Sequence, residues 1–211
     1  MKGDSYDPIA PYYDFLSLVL GKSYRNSKSA FLENLDIGNQ VLYIGGGTGG
    51  NLAEISDRIG ETGKVYFMEA SAKMIEKAKN KLPPTLKSRI IFLHESDFAT
   101  IPLETFDVVL TQYFLDILPD SNIHKLFKEI GRRTHDHSRW IFVDFFEVRG
   151  KRWLIQLMIH FFRVFTGNPR KDLPDYGYYF ENYGWGIHER KSFDHRFIQA
   201  WLLKKHVISQ K

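Results

Sequence analysis

The chain has 211 residues, 43% of them apolar and 15% aromatic, which is enough for one domain with a full core. It has no cysteine, which excludes disulfides, thiolate metal sites and a cysteine nucleophile and accords with a reducing cytoplasm. The net charge of +4 is uneven, because residues 149–211 hold 12 Lys or Arg against 5 Asp or Glu; these are scattered rather than grouped with stacking aromatics, so a nucleic-acid partner is not expected.

The N-terminus, MKGDSYDP, lacks the apolar core of a secretory signal, and no apolar run reaches the eighteen residues of a membrane span. Within YDPIAPYYDFLSLVLGKSYRNS, Phe15, Leu16 and Leu20 predict an amphipathic helix over the sheet. Apolar runs at 41–44, 65–68, 90–93, 106–110 and 141–146 then alternate with helical patterns such as Ile123, Leu126, Phe127 and Ile130. That alternation predicts a parallel α/β sheet in a single domain over 1–211. Residues 152–165, RWLIQLMIHFFRVF, form a helix whose polar positions, Arg152, Gln156, His160 and Arg163, make one narrow stripe on an apolar cylinder. At roughly 21 Å it is too short to span a bilayer. It suits a lid, a subunit contact in a homodimer, an interfacial membrane helix or a core helix. GIHERKSF and RFIQAWLLKK, joined at Asp194 and His195, predict an antiparallel hairpin at the sheet edge.

The richest stretch is VLYIGGGTGGN at 41–51, followed by KVYFMEAS with Glu69 closing the second apolar run. A strand, a glycine turn, a helix and a strand ending in an acid make the first βαβ unit of a nucleotide-binding sheet. Gly45, Gly47 and Gly50 fit a nicotinamide or flavin site, whereas Gly45, Gly47 and Gly49 fit S-adenosylmethionine; in both, Glu69 takes the ribose hydroxyls.

Over nearly the whole chain the order of these signals resembles a class I S-adenosylmethionine-dependent methyltransferase. VLYIGGGTGG resembles that family's first motif, FMEASAKMIEKAK its second, HESDFATIP its third and FDVVLTQYFLDIL its fourth strand. The resemblance implies a Rossmann-like seven-stranded sheet with helices on both faces, parallel except for an antiparallel C-terminal hairpin strand. It also implies that Gly45, Gly46, Gly47 and Gly49 cradle S-adenosylmethionine, that Glu69 holds the ribose and that Ala70 and Met74 flank the adenine. Asp97 and Phe98 would meet the adenine edge; as a residue type Asp97 also suits a turn cap.

The N-terminus resembles the opening of the ubiquinone and menaquinone biosynthesis C-methyltransferases. That likeness makes 1–35 a helical lid, with Tyr13 and Asp14 closing over the cofactor and Arg25 reaching its carboxylate. It also makes 146–185 an apolar helical insertion near the acceptor pocket. Two departures stand out: Tyr43 occupies the place of an acid that helps anchor the methionine end, and Thr134 to Ser138 replace a lysine–proline–glycine–glycine turn, which should only reshape a surface turn.

Methyl transfer from a sulfonium needs positioning and exclusion of water more than a strong base. Gln112, Tyr113 and Asp116, after the fourth strand, would line the cofactor and acceptor pocket, and His188 is a further catalytic candidate. The fourth-strand sequence TQYF lacks the Pro-Pro signature of amino-methylating nucleic-acid enzymes, and without cysteine cytosine C5 methylation is excluded. The expected acceptor is a small aromatic or isoprenoid-linked molecule such as a quinol or phenol, consistent with quinone biosynthesis and peripheral membrane contact. No metal is expected, since the eight histidines show no ligand spacing; Asp144 is the one acid that would reopen a magnesium site. Two alternatives stand beside this reading: an NAD(P)-dependent oxidoreductase, whose Tyr-x-x-x-Lys pair occurs only at Tyr24 and Lys28, upstream of the glycine loop, and a non-catalytic S-adenosylmethionine-binding protein.

Overall fold

In the computed structural model, residues 21–166 and 169–206 are described. Residues 21–28 are helical (α1), and the chain then alternates strands and helices: β1 (Gln40–Ile44), α2 (Leu52–Ile59), β2 (Lys64–Glu69), α3 (Ala72–Lys81), α4 (Pro84–Lys87), β3 (Ile90–His94) and β4 (Phe106–Gln112). After β4 come α5 (Asp120–Arg132), β5 (Thr134–Phe145), α6 (Arg152–Thr166), α7 (Tyr176–Asn182), β6 (Trp185–Phe193) and β7 (Ile198–Lys205).

The sheet has seven strands in the order β3-β2-β1-β4-β5-β7-β6. Strands β1 to β5 pair in parallel, while β7 runs antiparallel between β5 and β6. Runs such as VLYI and VVL are buried on both sides, as parallel strands sandwiched between helices must be. One face packs Tyr43, Phe67 and Leu110 against Tyr24 of α1, Ile55 of α2, Ala78 of α3 and Leu154, Ile155 and Met158 of α6. The other packs Leu42, Trp140 and Phe142 against Ile123, Leu126, Phe127 and Ile130 of α5 and Tyr176 and Phe180 of α7. The strand order reverses at β1, with β2 on one side and β4 on the other, so a crevice opens beyond their carboxyl ends.

Two local expectations need correction. Residues 134–138 are not a surface turn but the first part of β5. Thr134 pairs with Phe106 and Arg139 with Val108, so the residues between them bulge opposite Asp107. The buried Ser138 hydroxyl donates to Phe106 O at 2.7 Å and accepts from His135 N at 2.9 Å, which holds the bulge without any apolar pattern. The hairpin between β6 and β7 is joined by four residues, not by Asp194 and His195 alone. Asp194, His195 and Arg196 take φ of 49°, 55° and 72°, and Lys151 Nζ holds Asp194 Oδ2 at 2.5 Å.

Candidate functional site

The glycine loop leaves β1 at the switch point. Gly45 has φ of 65°, and an added Cβ would run into the Phe114 ring. Gly47, with φ of 60°, turns its N–H to Glu69 Oε2 at 3.0 Å. Glu69, at the end of β2 and 7% exposed, also accepts from Ser71 N at 3.0 Å through Oε1. Burial pushes its carboxyl up, and the backbone donors work against that. Two ionised oxygens offer about four acceptor sites, so the backbone donors Gly47, Ser71 and Ala70 still leave capacity for a ligand hydroxyl.

A cavity of about 420 Å³ opens beside this carboxyl, within the roughly 300–1,000 Å³ usual for small-molecule sites. Of the predicted cofactor residues, Gly45, Glu69, Ala70, Met74, Asp97 and Phe98 line it. Gly46, Gly47 and Gly49 shape the turn beneath without lining it. Asp97 Oδ1 also caps the short 3₁₀ turn Phe98–Thr100 by accepting from Ala99 N at 3.1 Å. Sequence reasoning missed the opposite wall, where Phe114, Ile117, Leu118, Asn122 and Lys125 follow β4 into α5. Nothing marked these as a wall except their position after the fourth strand.

The methionine-end departure at Tyr43 has a structural account. Tyr43 is fully buried, and its hydroxyl lies 3.1 Å from Asn51 Oδ1 and 2.9 Å from Gln112 Oε1. Asn51 Nδ2 donates to Gln112 Oε1 and to Lys28 O, each at 3.0 Å, and Gln112 Nε2 donates to Lys28 O at 2.9 Å. These side chains bolt α1 across the glycine loop. Gln112 is thus placed in this network and not on the cavity wall. The network brings up a cation the sequence did not flag as a ligand: half-buried Lys28, which lies near Glu69 and is lowered to about 8 by burial and then by Lys81. Lys81 itself holds Thr48 of the loop at 2.8 Å.

The remaining candidates separate. Arg25 is exposed on α1, and Tyr13 lies outside the described residues, as does Asp14. Tyr113, with φ of 56°, is 2% exposed; its hydroxyl is 2.5 Å from Ser27 Oγ, and its ring stacks on Tyr24 at 4.6 Å. Burial drives its phenol up, so it is held as a structural hydroxyl. Tyr24 is therefore a packing residue, with Lys28 over its ring, which argues against the oxidoreductase pair. His188 is exposed in a bulge of edge strand β6, four positions from β1 in the sheet, and is not brought to the cavity. Asp116 is buried beside Asp144 at the ends of β4 and β5, and burial raises it to about 7. No group of three or more acids or histidines that could hold a metal occurs among the described residues.

Residues 41–137, somewhat under half of the chain, match the family model described as "Methyltransferase domain". The chain is 33% identical over 136 residues, 59% of its own length and 43% of the relative's, to the protein-L-isoaspartate O-methyltransferase of Thermotoga maritima. It is 35% identical over 102 residues, 45% of its length and 40% of the relative's, to the demethylmenaquinone methyltransferase of Lactococcus lactis subsp. lactis. The structure of magnesium protoporphyrin IX methyltransferase from Synechocystis PCC 6803, with bound SAH, shares the fold with a TM-score of 0.66 over 96% of this chain and 97% of that one, at 16% identity. The matches thus span about two fifths of these two curated relatives.

Proposed function

We propose that this chain, in which residues 41–137 form a methyltransferase domain with S-adenosylmethionine as its cofactor, methylates a small aromatic or isoprenoid-linked acceptor such as a quinol or phenol. When bound, the sulfonium supplies an electrophilic methyl group. The residues of the chain position and shield it. In this reading Glu69 takes the ribose hydroxyls, Ala70 and Met74 flank the adenine, and Asp97 and Phe98 meet its edge. The glycines 45, 46, 47 and 49 let the backbone come close. Tyr13 and Arg25 belong to the lid, and Gln112, off the cavity wall, acts on the methionine end only by bracing the glycine loop through its network with Tyr43 and Asn51. What carries the cofactor assignment is that Glu69, Asp97 and Phe98, distant in sequence, line one cavity beside the glycine loop.

The acceptor reading rests on the apolar character of the second half. The ends of β4 and β5 present Tyr113, Phe114, Phe145 and Phe146. From α6, Trp153, Leu157 and Val164 are 67%, 53% and 62% exposed, although Leu154, Ile155 and Met158 of the same helix are buried. Arg149, Arg152, Arg163 and Lys171 are exposed around them, which suits contact with an anionic lipid surface near a lipid-like acceptor. No described helix is long and apolar enough to cross a membrane. A second copy seated on α6 is the competing occupant.

Thermal unfolding with S-adenosylmethionine, S-adenosylhomocysteine, NAD or NADP tests the cofactor. At a hundredfold excess over Kd a ligand stabilises by about 2.7 kcal/mol, a rise of roughly 5–11 °C in a domain of this size. The shift is expected for the first pair only, and Glu69→Ala should weaken it at least tenfold by removing charge-assisted hydrogen bonds worth about 1.5–3 kcal/mol each. A shift with NAD or NADP alone would overturn the assignment. Turnover screened on quinols and phenols then decides the acceptor class.

A further inference from the structure

The cavity wall opposite Glu69 is held from the far half of the chain. Phe114, Ile117, Leu118, Asn122 and Lys125 lie on the run from β4 into α5, and the Phe114 ring stands against Gly45 of the glycine loop. This run begins on a carboxyl: Asp144 Oδ2, at the end of β5, accepts from Leu115 N at 3.2 Å and Asp116 N at 3.3 Å. It ends on a guanidinium. Arg170, between α6 and α7 and only 9% exposed, donates from Nε to Leu118 O at 2.7 Å. One terminal nitrogen of the same fork pairs with Asp120, the first residue of α5, and the other donates to Asp172 O at 3.3 Å. Tyr179 of α7 adds its hydroxyl to Asp120 Oδ1 at 2.8 Å.

A buried guanidinium is costly unless its donors are met, and here two of its three nitrogens are directed at the wall. The partner at Leu118 is a peptide carbonyl, so the bond fixes where that residue stands whatever its side chain. Leu118 is itself buried and lines the cavity. The two gripped residues flank Pro119, another lining residue, where the chain passes from wall to helix and where no side chain caps α5. Arg170 also faces Asp116: burial pushes that carboxyl up, and the guanidinium opposes it.

We infer that Arg170 is a positioning residue for the cofactor: from the segment between α6 and α7 it sets Leu118 and Pro119 against the nucleoside, so that cofactor affinity depends on a side chain that does not line the cavity. This rests on the methyltransferase reading. Lysine is not an equal substitute, because a point charge cannot reproduce a planar fork that serves a carbonyl and a carboxylate at once. Since Glu69, Asp97 and the gripped wall line the same cavity, the nucleoside part of the cofactor is the part that feels the grip.

The test measures binding of S-adenosylhomocysteine and of adenosine to the full chain by calorimetry, in the wild type, Arg170→Lys, Asp120→Asn and a control, Phe127→Leu, which loosens the buried face of α5 and leaves the grip intact. Arg170→Lys keeps the charge that faces Asp116 but not the fork. It should weaken both ligands alike by about tenfold, the scale of one lost hydrogen bond to a charged group, and Asp120→Asn by about threefold. Amide exchange at residues 117–122 without ligand should quicken in both. Phe127→Leu should lower the thermal midpoint with both affinities kept. Unchanged affinities in Arg170→Lys and Asp120→Asn, or an equal fall in Phe127→Leu, overturn the assignment and leave a clamp that only stabilises the fold. Should Arg170→Lys fail to fold, Asp120→Asn decides alone, since the Asp120 side chain is 68% exposed. If the wild type binds neither ligand while exchange at 117–122 still responds to Arg170→Lys, it is the cofactor reading that falls, and the assignment with it.

Discussion

The two halves of the sheet bring their polar groups together by different means. Around β1, β2 and β4 the site is made largely of backbone: a glycine loop, two peptide N–H groups on Glu69 and a cap on Asp97. Around β5 and α7 the buried polar groups are side chains that meet only in the fold, such as Asp116, Asp144 and Tyr176. A backbone site demands particular residues at fixed spacing, because only glycine tolerates the turn. A side-chain site can draw its groups from anywhere in the chain.

The sharpest way to break the backbone half is Gly45→Ala. The new methyl meets Phe114 at a φ of 65°, so overpacking and a strained left-handed backbone together should cost about 2–4 kcal/mol, read as a lower urea midpoint, and cofactor affinity should fall with it. The side-chain half responds instead to pH. Asp116 is about 7 in the folded chain against about 3.9 unfolded, so the folded form holds a proton that the unfolded form has released. This contribution is fully present below about pH 4 and is lost as pH rises through about 7, with a slope near 1.4 kcal/mol per pH unit for one proton. Wild-type stability relative to Asp116→Asn should therefore fall by about 2–3 kcal/mol between pH 5 and 7. A flat difference would mean the pair is not protonated as argued.

The network between the halves comes next in size. Gln112→Ala removes one hydrogen bond each from Tyr43 Oη, the Asn51 amide and Lys28 O, which keep only their bonds through Asn51, and should cost about 1–3 kcal/mol of unfolding free energy, read from the denaturant midpoint. It should also loosen α1, seen as faster amide exchange at residues 21–28.

The sequence made the same division visible. The parallel strands were legible because each is a run of apolar residues between turn signals, and α5 because its four core positions fall on one helical face. The first five residues of β5 were not, since Thr134 to Ser138 are polar and owe their strand to the Ser138 hydroxyl. Within the site, Glu69 and the glycines could be read by spacing. Tyr43, Gln112 and Lys28 could not, because they meet across 69 and 84 residues of chain. His188 sat in a sequence that reads as a strand, yet the bulge and the edge position keep it from the cavity, and nothing local marks either.

The smallest effect on stability should come from the outward face of α6. Trp153 and Leu157 are more than half exposed, so Trp153→Ser with Leu157→Ser should change the unfolding free energy by no more than about 0.5 kcal/mol each, as surface substitutions do. If that face meets lipid, the double variant should lose co-sedimentation with anionic vesicles at low salt while cofactor binding is retained. If instead its unfolding free energy falls by several kcal/mol, the face is covered by packing and the membrane contact fails. If stability and vesicle binding are both unchanged but the wild type dimerises and the variant does not, a second copy sits there. Because the substitutions touch neither the glycine loop nor the cavity wall, any loss of turnover that appears only with membrane-borne acceptors would trace to delivery rather than to chemistry.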